Sequence, residues 1–138
     1  MRRRALVPLA AALALLAWPG GGGAASKTVQ LAIAHVVSNC HVWRTPARLL
    51  GPTLKLTVSR GTKVVVRPDC PMDFDLVQTT GPRLPLGGPR LSAGTSRTIT
   101  FVKAGTYVLT AKNVQTPEER GLTVLGAANT LTLIVHVT

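Results

Sequence analysis

The 138-residue sequence predicts an all-β fold: an antiparallel Greek-key β-sandwich of seven to eight strands, carrying one short helical turn. Two observations predict it. Apolar residues recur at every second position through several short runs, as half-buried strands require. Gly- and Pro-containing breaks separate those runs at the spacing typical of sandwiches and barrels.

The elements follow in order. Val29, Leu31 and Ile33 alternate with Thr28, Gln30 and Ala32, giving a first strand that runs to about Val37. Leu54, Leu56 and Val58 form a second, and Arg60-Gly61 turns the chain into Lys63 to Val66. Phe74 to Thr79, Thr98 to Val102 and Thr106 to Ala111 come next. Leu131, Leu133, Val135 and Val137 close the chain on an alternating apolar face. The breaks are Gly51-Pro52, Gly81-Pro82, Gly87-Gly88-Pro89 and Ala104-Gly105. Thr116-Pro117-Glu118-Glu119 places a capping hydroxyl, a first-turn proline and a glutamate three residues after the cap. That pattern predicts one helical turn from Pro117 to about Gly121.

Residues 1–25 read as a signal peptide and residues 26–138 as one domain. Arg2, Arg3 and Arg4 form a positive leader, Ala5 to Trp18 an apolar run, and Gly20 to Ala25 a small-residue stretch suited to cleavage. The apolar run is too short to span a bilayer. An exported protein of the periplasm, cell envelope or extracellular space is expected, by the general secretory or the twin-arginine route. Without Arg2, Arg3 and Arg4, the 16 basic residues fall to 13 against five acids, a net charge of +8. The basic residues recur singly and are not interleaved with aromatics, so single-stranded nucleic acid is not an expected ligand. An anionic cell-envelope polymer or a protein is the expected kind of partner.

Chemistry-bearing residues concentrate in two short stretches, Asn39-Cys40-His41-Val42-Trp43 and Asp69-Cys70-Pro71-Met72-Asp73-Phe74. They hold both cysteines, one of three histidines and the one methionine besides Met1. Two readings follow. In a small exported domain, Cys40 and Cys70 form a disulfide. Such a bridge would close a loop of about 31 residues and contribute roughly 3–4 kcal/mol in the chain-entropy view. With reduced thiols, Cys40, His41, Cys70 and Met72 instead offer two thiolates, an imidazole and a thioether, a set suited to Cu(I) or zinc. His41 and Trp43 lie two apart and share a strand face, with Trp43 expected in the core. His35 is expected partly buried beside Leu31 and Ile33, and His136 facing solvent. Asp69, Asp73 and Asp75 match no calcium loop, and for Asp73 and Asp75, which share a face at a strand start, a solvated turn or a pair with Arg67 suffices. No nucleophile elbow, catalytic triad order or phosphate-cradling loop is present, and no enzymatic activity is expected.

The block Leu54 to Val66 with its Arg60-Gly61 turn, then Phe74 to Gln78, then Phe101-Val-Lys-Ala-Gly105-Thr-Tyr107, resembles the cupredoxins. Among these it is similar to exported bacterial domains with a Cys-His-x-Trp segment after the first strand, here Cys40 to Trp43. The resemblance implies a sandwich whose first and third long strands run toward one end, bringing the Cys40 and Cys70 segments together there. It also implies where copper ligands would stand. A type 1 site takes two imidazoles, a thiolate and a weak axial ligand. Phe74 occupies the place of the first imidazole and Ala111 that of the thiolate, and the stretch from Lys112 to Asn129 holds no histidine or methionine. The expected function is therefore a non-catalytic binding or structural module without a resident cofactor. Two alternatives stand beside it: a copper-handling protein using Cys40, His41, Cys70 and Met72, and an immunoglobulin-like adhesion module for the envelope.

Overall fold

Nine strands stack into two sheets in the computed structural model, which describes residues 26–36, 40–114 and 130–138. The expected signal peptide and the expected helical turn after Thr116 lie outside the described residues. The strands are β1 (Thr28–Val36), β2 (Cys40–Arg44), β3 (Thr53–Val58), β4 (Thr62–Pro68), β5 (Asp73–Thr80), β6 (Arg90–Leu91), β7 (Arg97–Phe101), β8 (Gly105–Val114) and β9 (Thr130–Val137). Sheet I has the order β2-β1-β4-β7 and sheet II the order β3-β9-β8-β5-β6.

The sandwich is present, but its sheets are mixed rather than antiparallel. β1 pairs parallel with β4, and β3 pairs parallel with β9. Both parallel pairs join strands remote in sequence, where a crossover rather than a hairpin connects them. Two strands are additional to those read from alternation. β2 pairs with β1 across the Cys40 to Arg44 segment, and the two-residue β6 pairs with the start of β5.

Alternation decides which side chains meet. Leu31, Ile33, Trp43, Val64, Val66, Ile99 and Phe101 of sheet I are buried against Phe74, Leu76, Tyr107, Leu109, Ala111, Leu131, Leu133 and Val135 of sheet II. The chain changes sheets after β2, where Leu50 N–H donates to Trp43 O at 2.7 Å and Trp43 N–H to Gly51 O at 3.1 Å. Trp43 is wholly buried, and its indole Nε1–H donates to Thr132 O on β9 at 2.9 Å. One side chain thus ties the two sheets together while its only polar atom stays satisfied. Tyr107 serves the opposite connection, its hydroxyl donating to Lys103 O at 2.8 Å. Gly81 has φ of 102° and an ideal Cβ there would lie 2.5 Å from Thr106 O. Only glycine lets the strand end approach β8 that closely.

Candidate functional site

β2 and the bend between β4 and β5 deliver the two chemistry-bearing stretches. His41 is 2% exposed and faces inward with Trp43, as the two-residue spacing requires. Its ring meets Phe74 edge to face, with centroids 5.1 Å apart and planes at 85°. On its other side it meets His35, its cross-strand partner in β1, at 5.2 Å and 64°. His35 itself is exposed rather than partly buried. The β1–β4 pairing ends at Ile33 and Pro68, so among the described residues no strand pairs with the last residues of β1 on that flank. His136 faces solvent as expected, with Nδ1 3.2 Å from Thr106 Oγ1.

Met72 is half-buried against the core, and its Sδ accepts the Asn113 side-chain amide at 3.0 Å. Asn113 pairs across the sheet with Phe74, so Met72, Phe74 and His41 belong to one end of the sandwich. Cys70 packs on the same core as a half-buried free thiol. Burial pushes its pKa up, the Met72 backbone N–H opposes this, and the Asp69 carboxylate adds a smaller upward push. The thiolate needed for soft-metal binding is disfavoured there. Among the described residues no three His, Cys, Asp or Glu side chains gather as a metal site.

The expected Cys40–Cys70 bridge is not formed in this structure, since the Cys70 thiol is free. Sheet order supplies a physical reason. Cys40 pairs with Val36 on one side of β1, while β4, which leads to Cys70, lies on the other. Two interstrand spacings separate β2 from β4, about 9–10 Å, against a bridging Cα range of roughly 4.4–6.8 Å. The Cys70 bend would have to fold over the end of β1 to close that gap.

Phe74 and Ala111, at the places where the resemblance puts an imidazole and a thiolate, are both wholly buried core residues. With Met72 Sδ engaged by Asn113, the residues present do not fit a type 1 copper centre.

Sequence reasoning missed the ion pairs beside this end. Asp73 and Asp75 pair with Arg90, at 3.6 and 2.9 Å, and not with Arg67. The reason is register, because β6 sets Arg90 opposite Asp75. Arg67 instead pairs with Asp69 at 3.6 Å, and Arg44 hydrogen-bonds the same carboxylate. The Arg67-x-Asp69 spacing was a usable signal for the first contact, while the second needed the β2–β1–β4 order.

The two mixed sheets define a β-sandwich. Solved structures of similar shape include a purple cupredoxin from Nitrosopumilus maritimus, 17% identical, with 80% of this chain and 99% of that chain covered at a TM-score of 0.48. A reduced mutant of amicyanin is also 17% identical, covering 83% and 87% at 0.42. The cysteine protease inhibitor EhICP2 from Entamoeba histolytica is 12% identical, covering 84% and 100% at 0.46. These are likenesses of overall shape, and no residue role is carried over from them. No family model matches the chain, and no curated protein does.

Proposed function

We propose that this protein is an exported, non-catalytic binding module built on a cupredoxin-like sandwich without a copper centre. One observation carries the reading. The end of the sandwich is closed by packed apolar groups, with Phe74 and Ala111 wholly buried and the Phe74 ring against His41. Core residues at two ligand places leave the fold as a scaffold, and recognition then falls to its surface. Among the described residues carboxylates pair only with Arg44, Arg67 and Arg90. The remaining basic side chains support an anionic partner, either an envelope polymer or an acidic protein.

A second reading keeps copper, because the free Cys70 thiol, Met72 and His41 share one end of the core. Metal analysis separates the two. After equilibration with Cu(I) under reducing conditions and with Cu(II) in air, followed by desalting, the protein is expected to retain no stoichiometric copper and no intense thiolate–copper colour. One equivalent of copper, lost on either His41→Ala or Met72→Ala, would establish the copper-handling reading instead.

A further inference from the structure

The outer face of sheet I carries a feature unrelated to the copper-type end. β1 runs between β2 and β4, and its Ala32 is the register partner of both Arg44 and Arg67. Residues paired across a sheet point to the same face. The two arginines therefore rise on either side of a methyl group, with backbones about 9–10 Å apart. Ala32 is too small to fill the space between them. The result is a cleft of about 360 Å³, walled by Arg44, Thr45, Pro46 and Arg67, with Ala32 and Val65 in its floor.

Both guanidinium groups turn toward one carboxylate. Arg44 Nη2 donates to Asp69 Oδ2, and Arg67 Nη2 lies 3.6 Å from Asp69 Oδ1. Each oxygen of a single carboxylate thus faces a different arginine. The cluster still keeps one net positive charge, since two cations face one anion. It also keeps unused donors. A guanidinium has five N–H groups, yet among the described residues Arg44 Nε is buried with no acceptor. The Arg67 contact is too long for a hydrogen bond. Gln30 and Ser96 add neutral polar groups to the lining. Asp69 sits just beyond β4 with an exposed side chain, so leaving the fork does not open the core.

We propose that this cleft binds small amphiphilic carboxylates, Arg44 and Arg67 holding the anion while Ala32, Val65 and Pro46 take the apolar body. Asp69 fills the fork in the free protein and is displaced by the incoming carboxylate. The carboxylate class follows from the shape of the group already seated there. Planar forks match planar anions in two-point contact, and the apolar floor selects a body that a bare inorganic ion lacks. The cleft lies on a different face from the Phe74 end, so its failure would leave the copper-free reading untouched.

Benzoate serves as the probe, with inorganic phosphate and benzamide as the charge-only and body-only controls. Binding is followed by calorimetry or ligand-observed NMR on the purified protein. Benzoate is expected to bind, and neither control to do so. Asp69→Asn removes the internal competitor and should tighten benzoate about tenfold, the scale of two exposed ion pairs. Arg67→Gln and Arg44→Gln should each abolish binding. Ala32→Leu should abolish it by filling the floor at unchanged charge, with a melting curve confirming the fold. Asp69→Asn that binds no tighter than the native protein, phosphate binding as well as benzoate, or benzoate binding that survives both arginine substitutions would each overturn the proposal.

Discussion

Phe74→Ala tests the closed end most directly. Phe74 is wholly buried, and its strand β5 is held between β6 and β8 in sheet II. The backbone around it is hydrogen-bonded on both sides, so the structure cannot collapse far into the space left behind. Truncating a buried phenylalanine costs about 3–5 kcal/mol, and poor relaxation puts the cost toward the upper end. The edge-to-face contact with His41 is lost as well, worth about 0.5–1.5 kcal/mol beyond its buried area. Against a whole-domain stability of about 5–15 kcal/mol, the variant is expected to fold with a much reduced margin. Urea unfolding followed by Trp43 fluorescence measures it, since Trp43 is buried in the same core. The midpoint should drop with little change in slope, because the surface exposed on unfolding is nearly the same. Phe74→Leu should lose much less, about 1.5 kcal/mol or under. A loss below about 1 kcal/mol for Phe74→Ala would refute the closed end, because no packed ring of that size is so cheap to remove.

Two further outcomes are expected. Gly81→Ala should destabilise by about 2–4 kcal/mol, since it combines a positive φ with a Cβ placed 2.5 Å from Thr106 O; a neutral thermal melt would contradict the close approach of this turn to β8. Cys70 should alkylate slowly at neutral pH and faster as pH rises past its ordinary value of 9.0, because burial first, and Asp69 to a lesser degree, hold the thiol protonated. By linkage the fold loses stability as pH rises above the unfolded thiol's pKa toward the native value, because the buried thiolate is penalised. Below the unfolded value the protonated thiol costs nothing. Rapid neutral-pH labelling, or a mapped Cys40–Cys70 disulfide in protein prepared without reductant, would contradict this placement.

The strands were legible because burial on one face imposes a two-residue period, and that period is written directly into Leu31-x-Ile33, Leu131-x-Leu133-x-Val135 and their kin. Trp43 and His41 were placed inward by the same logic. Three features escaped for one shared reason, which is that alternation says nothing about which strands lie side by side. Arg90 opposite Asp75, β1 between the two cysteine-bearing segments, and Asp69 between Arg44 and Arg67 all depend on lateral order and register. The exposure of His35 was hidden differently. Its position in the period is an inward one, but its neighbour strand has already departed. The absence of copper ligands at Phe74 and Ala111 could be read from the sequence only through the resemblance, while their packing needed the structure.

Asp69 and Cys70 are neighbours on one bend, yet they face different environments. Cys70 turns to the core and Asp69 to the arginine fork. The bend is anchored by Asp69 N–H donating to Ile33 O at 2.8 Å, a contact that does not involve the Asp69 side chain. That separation is what allows the carboxylate to leave the fork while the core stays closed. A metal site at the end of the sandwich would need the opposite arrangement, with donors turned inward and left without competing contacts. Here Met72 Sδ already accepts from Asn113, the Cys70 proton is held more tightly, and Phe74 fills the space. Among the described residues the buried arginine donor without an acceptor, Arg44 Nε, lies on the outer face instead, in the cleft shared with the exposed Arg67.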